Sequence, residues 1–261
     1  MDSLLLHVDR AVATITINRP EQRNVLDLAM WTRLAELCQA LDLDPQVRVV
    51  VIQGAGDQAF SAGGDIREFD ERRSNAWQAK IYNQRVEQAL QALERLGKPV
   101  VAKIKGYCVG GGFLLAGHCD LRIGADNAVL GLPVARLGTL VGYGSLHRFV
   151  ALIGLSAITD LLMTARLVDA AQAHNMGFLN QVWPLDRVDA QVDELAAQMA
   201  ELAPLVQRWH KQMLATVLRK PDLVDLDNEE LQLPDACFNT QDYQEGIRAF
   251  LEKRRPVFRG R

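Results

Sequence analysis

The stretch PVVAKIKGYCVGGGFLLAGHCD, Pro99–Asp120, decides how the rest of the chain is read. Its first part, Pro99 to Ile104, is a short apolar run rich in β-branched residues and reads as a buried strand. Three consecutive glycines at Gly110, Gly111 and Gly112 follow, and the apolar run after them fits a helix starting near Gly112. A glycine turn ahead of a helix lets backbone amides approach a ligand, and the positive end of the helix favours negative charge there. The first turn beyond the glycines carries no carboxylate, amine or nucleophile, so any proton transfer has to come from elsewhere.

Upstream, Leu4 to Asn18 (LLLHVDRAVATITIN) reads as two strands of a hairpin broken at Asp9 and Arg10, and Arg19-Pro20 ends it. Asp27 is an N-cap candidate for a helix from Leu28 to Leu41, with Leu34, Leu37, Cys38 and Leu41 at helical spacing. Val47 to Ile52 reads as a second buried strand, and Gln78 to Leu96 as a second helix stopped by Gly97, Lys98 and Pro99. Alternating strands and helices with glycine-rich turns predict an α/β fold with a parallel sheet and ligands at the carboxyl ends of its strands. Helical patterns dominate from Tyr143: 144–153, 156–164, 169–176, 186–202, 205–218 and 241–253. The expected division is a core over residues 1–195 and a helical region over residues 196–261.

The overall composition narrows the ligands. Lys and Arg total 29 against 32 Asp and Glu, so no charge excess draws the protein to nucleic acid or an anionic membrane. Cys38, Cys108, Cys119 and Cys237 are scattered without metal-ligand spacing, which argues against both a metal site and a disulfide framework. No signal-peptide pattern opens the sequence, and no later segment reads as a run of the ~20 apolar residues that span a membrane, so a cytoplasmic location is expected.

A second glycine turn, FSAGGD at Phe60–Asp65, follows the strand that ends at Ile52. If both turns reach the same sheet edge and each offers a free N–H, the two amides can converge on one oxygen and stabilise charge developing on a carbonyl. Tight turns or close helix packing are the plainer explanation of either pair alone. Neither loop fits GxGxxG or GxxxxGK[ST], which disfavours a nucleotide phosphate cradle.

Taken together, INRPEQRNVL (Ile17–Leu26), AFSAGGDIREF (Ala59–Phe69), KPVVAKIKGYCVGGGFLLAGHCDLRIG (Lys98–Gly124), PVARLG (Pro133–Gly138), GFLNQV (Gly177–Val182) and DYQEGIRAFLEKRRPVF (Asp242–Phe258) resemble the enoyl-CoA hydratase/isomerase, or crotonase, family along essentially the whole chain. The resemblance implies a ClpP-like spiral of ββα units, a carboxyl-terminal helical trimerisation region, and homotrimers or hexamers built as dimers of trimers. It implies an acyl-CoA thioester as substrate, with coenzyme A entering only as part of it and no other cofactor. By motif position the oxyanion amides fall on Gly64 and Gly111. Arg23, the backbone of Ala62, Arg67 and Lys253 match positions that receive the CoA moiety, although solvated surface cations are the plainer reading of the three basic residues.

The sequence departs from the hydratases of this family at the two positions where they carry glutamates: Leu114 and Val134 stand there. Loss of a positioned acid or base typically lowers the rate ~10²- to 10⁴-fold. The chain therefore reads as a lyase or isomerase that stabilises a thioester enolate, with a malonyl-type acyl-CoA decarboxylase or a non-catalytic acyl-CoA binding subunit as alternatives. His118, four residues after Leu114, is either a hydrogen-bonded core histidine or a group behind the pocket. Tyr143 and Ser145 resemble the turn of the naphthoate-synthase branch, whose aspartate falls on Leu140 here; helix packing is the other reading. Glu68 and Asp70 are surface residues unless their helix turns inward, Asp120 is expected to pair locally, and Arg136 is a candidate for a substrate carboxylate or a structural ion pair.

Overall fold

Residues 3–261 are described by the computed structural model. The β-branched amino-terminal segments pair as an antiparallel hairpin of β1 (Leu4–Asp9) and β2 (Val12–Ile17), with Leu4 opposite Ile17 and Asp9 opposite Val12. Arg10 and Ala11 close it in the left-handed region at φ 45° and 70°, the conformation of a turn whose twist matches that of the strands. Asp27 then caps α1 (Leu28–Leu43), its carboxylate accepting from the Met30 amide.

From here the chain alternates between two sheets. β3 (Val49–Gly54) joins β2 in parallel, β4 (Ala59–Ser61) opens a second sheet, and the short α2 (Phe69–Arg72) and long α3 (Ala76–Arg95) return the chain. β5 (Val100–Ile104) pairs with β3, β6 (Tyr107–Val109) pairs with β4, and α4 (Gly111–His118) follows. β7 (Leu121–Ala125) and β8 (Val129–Gly131) repeat the step, leading to α5 (Tyr143–Thr164). One sheet accordingly has the order β1-β2-β3-β5-β7-β10 and the other β4-β6-β8-β9, completed by β9 (Val168–Asp169) and β10 (Gln181–Trp183) on either side of α6 (Ala170–Asn175). The two glycine turns lie at the ends of strands of the second sheet. Its three-residue strands are too short for period-2 patterning to reveal, so the sequence suggested one sheet where there are two.

The apolar run of β3 is explained by burial on both faces. Val50 and Ile52 face the main core, packed with α1, α3 and α4, while Val49 and Val51 face Val188, Val192 and Ala196 of α7 (Val188–Ala200). α7 is continuous through residue 195, where the sequence suggested a division, and its buried face packs on the larger sheet. α8 (Pro204–Arg219), α9 (Asn228–Gln232) and α10 (Gln241–Leu251) follow. By length and composition α5 could cross a membrane, which the sequence reading did not anticipate. Gly154, at φ 77° and ψ 159°, breaks it where the two predicted helices met, and Phe149, Ile158 and Leu161 are buried in the main core while much of the rest of the helix is not.

Contact between the second sheet and α4 depends on Gly112. A Cβ there would lie 2.3 Å from the Ser61 carbonyl oxygen and 2.8 Å from Ser61 Cβ, so the helix could not seat on β4. Overpacking a tight contact commonly costs about 1–3 kcal/mol. Gly112→Ala is expected to lower the unfolding free energy by that amount, measured by denaturant titration; an unchanged midpoint would show that the contact yields freely.

Candidate active site

Backbone bonds knit the 62–65 turn onto the segment after Arg19. The Ala62 amide donates to the Arg23 carbonyl at 2.9 Å, Leu26 N–H to the Gly63 carbonyl at 2.8 Å, and Asp65 N–H to the Leu26 carbonyl at 2.9 Å. Asn24, fully buried at φ 55°, donates through Nδ2 to the carbonyls of Ala55 and Ala59 and fixes the approach to this turn. Gly63 (φ 111°) and Gly110 (φ 56°) hold the two glycine turns in backbone conformations that side chains disfavour. The turns touch: a Cβ on Gly111 would lie 3.2 Å from the Gly64 nitrogen. Among the described hydrogen bonds neither the Gly64 nor the Gly111 amide donates to another residue, and both residues line one cavity of about 380 Å³.

Leu114, Val134, Val86 and Leu90 make much of that cavity apolar. Its polar groups come largely from α3, which the sequence reading did not single out. Tyr82, 4% exposed, lines the cavity, and its hydroxyl lies 3.4 Å from where a Gly64 Cβ would stand. That hydroxyl has no hydrogen-bond partner among the described residues: the Trp31 indole lies on its flank without completing a bond. Burial first, and the charge of Glu68 second, push the phenol up to about 12, so it stays protonated near neutrality. Arg73 lies over the rings of Phe69 and Tyr82, 4.6 and 5.2 Å from their centroids, rather than against a carboxylate. Glu87 is the one carboxylate among the described cavity-lining residues. Its position on α3 was legible, but the cavity face of that helix was not.

The other sequence candidates separate clearly. His118 is buried behind Leu114, its Nε2 3.0 Å from Ser145 Oγ and its Nδ1 3.0 Å from Glu94 Oε1, the latter out of line for a hydrogen bond. Ser145 is 3% exposed and lines the cavity, whereas Tyr143 is 92% exposed. Glu68 accepts from the Leu28 amide at 2.9 Å and pairs with Arg72, a structural role at the start of α1, and Asp70 is exposed. Asp120 pairs locally, accepting from the Val100 amide and from Lys211, both at 2.7 Å. Arg136 is exposed at the cavity rim with no ion pair among the described residues, and Leu140 is exposed beside it.

Arg23 and Ala62 are joined by their backbone bond, and the Arg23 guanidinium lies 5.1 Å from the Tyr107 ring centroid. Arg67 is already held by Asp65, at 2.9 and 2.7 Å, and by Gln22. Lys253 lies exposed beyond α10, with no described contact to this group.

Comparison with known proteins follows this geometry. The sequence pattern of the enoyl-CoA hydratase/isomerase family matches residues 7–261. The chain belongs to that family. A crotonyl-CoA hydratase of Syntrophomonas wolfei is 32% identical over 257 residues, covering 98% of each chain. A 2,3-dehydroadipyl-CoA hydratase of Escherichia coli is 33% identical over 264 residues, covering all of both. The crystal structure of an enoyl-CoA hydratase/carnithine racemase from Magnetospirillum magneticum superposes with a TM-score of 0.95 at 38% identity, covering 100% of this chain and 97% of that one. The spiral of ββα units is thus the crotonase fold, and the protein is an enzyme of the hydratase/isomerase family.

Asp65 ties this site to pH. Hydrogen bonds from the Arg67 side chain, and then from the Arg67 amide and Arg19, outweigh the cost of burial and hold its carboxyl well below the usual carboxylate range. A depressed folded-state pKa adds stability that is present above the ordinary carboxylate value and lost as pH falls toward the depressed one. Asp65→Asn is therefore expected to lower the melting temperature at pH 7, with the gap to wild type closing between about pH 5 and about pH 2. A gap independent of pH, read by thermal melts across that range, would contradict it.

Proposed function

We propose that this enzyme binds an acyl-CoA thioester with its carbonyl oxygen on the amides of Gly64 and Gly111 and catalyses a reaction through the thioester enolate, not two-glutamate hydration. The observation that carries this reading is the pair of unengaged amides on touching turns, opening on a cavity where Leu114 and Val134 offer no titratable group. Two preorganised donors lower the energy of the charge that develops on the oxygen, and α4 begins at one of them and adds the positive end of its dipole. The family relatives named for CoA thioesters support the substrate class.

For the CoA moiety, the reading assigns Arg23, the Ala62 backbone, Arg67 and Lys253. The Ala62 amide is taken by Arg23, which leaves its carbonyl to accept from a ligand. Arg67 would bind a phosphate in competition with Asp65, as a shared guanidinium can. We assign residues 196–261 to a helical region that joins protomers into a homotrimer or a dimer of trimers, and place the protein in the cytoplasm. Exposure of Leu214, Val217, Phe250, Leu251 and Val257 in that region supports assembly.

Decarboxylation of a malonyl-type thioester is the second reading. Arg73, stacked on two rings at the cavity wall without a carboxylate partner among the described residues, could hold an anionic acyl substituent, and enolate formation by loss of carbon dioxide needs no base.

Offering crotonyl-CoA, a short 3-enoyl-CoA and methylmalonyl-CoA in parallel, with products read by mass spectrometry, separates these readings. Turnover of the 3-enoyl ester is expected, with hydration of crotonyl-CoA slower by ~10²-fold or more than in a variant carrying both Leu114→Glu and Val134→Glu. Turnover of the methylmalonyl ester alone would establish the decarboxylase. Tight binding of all three without turnover would establish a binding subunit, and rapid hydration by the wild type would overturn the proposal.

A further inference from the structure

We infer that Glu87, on α3, is the catalytic residue that carries the proton to and from the substrate carbon, in place of the acids absent at Leu114 and Val134. This rests on the enolate reading above and adds the group that reading lacks.

Helix geometry supplies the first argument. α3 and α4 run in the same direction past the cavity: Tyr82, near the start of α3, stands beside Gly64 and therefore beside Gly111, and Glu94, near its end, meets His118 at the end of α4 at 3.0 Å. Glu87 lies between these two anchors, five residues after Tyr82 and seven before Glu94, on the stretch of α3 that lines the same cavity as Gly64 and Gly111. A carboxylate set there can reach the carbons next to the carbonyl.

Its surroundings hold it in place. Gln91 donates to Glu87 Oε1 at 3.0 Å, one helical turn on. Across the cavity wall, Gly144 in the first turn of α5 makes room for the carboxylate: a Cβ there would lie 2.6 Å from the same oxygen and 3.6 Å from Oε2. Oε1 thus has a donor, and Oε2 has no hydrogen-bond partner among those described.

Elimination gives the second argument. Among the described cavity-lining residues, the remaining groups that could move a proton are Tyr82, Ser145 and Thr139, and the Thr139 hydroxyl donates to the Val134 carbonyl at 3.4 Å with no base beside it among the described hydrogen bonds. Tyr82 stays protonated near neutrality and can donate a hydrogen bond but cannot act as a base. Ser145 is bonded to His118, which is 2% exposed and does not line the cavity, so a base acting through it would need the serine hydroxyl to relay the proton. Glu87 touches the cavity directly.

The chemistry balances with one carboxylate. Glu87 takes a proton from the carbon α to the thioester of a 3-enoyl-CoA. The C–H electron pair forms the dienolate, with its charge on the oxygen at the two amides. The same carboxyl then returns the proton to the γ carbon as the double bond moves to the 2,3 position. Nothing is oxidised and no water is consumed.

The test is α-deuterium exchange into butyryl-CoA in D2O and isomerisation of a short 3-enoyl-CoA by the whole enzyme, comparing wild type, Glu87→Gln, Glu87→Ala with and without added formate, Gly144→Ala and Ser145→Ala, with CoA-ester binding followed by calorimetry. Glu87→Gln is expected to lower both rates ~10²- to 10⁴-fold with binding retained. Formate is expected to restore part of the exchange lost in Glu87→Ala, a rescue that a merely structural role would not allow. Gly144→Ala, which displaces the carboxylate without removing it, is expected to lower kcat more than it raises KM. Wild-type rates in Glu87→Gln, or loss of exchange in Ser145→Ala with Glu87→Gln intact, would overturn the assignment in favour of the Ser145–His118–Glu94 chain. Absence of exchange and isomerisation in wild type despite binding would overturn this assignment, and absence of methylmalonyl-CoA turnover as well would overturn the enolate reading.

Discussion

The approach of two glycine turns to within van der Waals contact is the constraint on which the rest of the site depends. A Gly111 side chain would meet the Gly64 nitrogen at 3.2 Å, and the backbones that bring the turns together belong to neighbouring strands, β4 and β6, of the smaller sheet. Neither turn holds its shape alone. The first is stitched to the Arg23–Leu26 segment by three backbone bonds, and the second is anchored by the Gly110 amide on the Gly131 carbonyl of β8. The spiral, which sends one strand of each unit into each sheet, brings these separate anchors to one place. Among the described hydrogen bonds these two amides have no partner, and on the proposed reading a ligand oxygen or water satisfies them.

Around these amides α3 decides the character of the cavity. It presents a buried neutral phenol and one carboxylate, and Arg73, between α2 and α3, adds a guanidinium stacked on aromatic rings; each is restrained by a different force: desolvation for Tyr82, ring contact for Arg73 and a hydrogen bond from Gln91 for Glu87. α4, which ends the other glycine turn, contributes Leu114 to the cavity and turns His118 away into a polar contact with Ser145. The helix that begins at an amide thus gives the electrostatic field, and its neighbour gives the titratable groups.

Much of this was legible in the sequence, and the losses have physical causes. The hairpin, α1 with its Asp27 cap, the doubly buried run of β3 and the break near Gly154 were each written in local patterning, because each is fixed by propensity or by burial within one element. The smaller sheet was missed because three-residue strands do not carry a detectable period. Gly64 and Gly111 could be singled out because their glycine turns match motif positions of the family the sequence resembles, whereas either turn alone reads as a tight turn. Glu87 and Tyr82 could not, because on α3 they read as one more polar and one more aromatic residue of an amphipathic helix. Only packing shows that Tyr82 stands at Gly64 and that Gly144 leaves room for Glu87. Glu68 and Asp120 illustrate the converse: carboxylates near the motifs whose geometry is absorbed by a helix start and by the entry to β5.

Under the proposed enolate reading, Leu114 and Val134 have a constructive consequence as well as a prohibitive one. A proton moved by a single carboxylate between two carbons of one substrate needs no water as a reactant, and an apolar wall keeps water from competing at the acyl carbons. A second carboxylate would draw water into the cavity and open a competing hydration path. Leu114 and Val134, together with Val86 and Leu90, instead place apolar surface around the position of the acyl carbons. The same surface lowers the local dielectric, which would strengthen the field of the two amides on an oxygen bound at them. On the proposed reading, a cavity walled by aliphatic side chains and lined by one carboxylate is better matched to moving a proton within the substrate than to adding water across it.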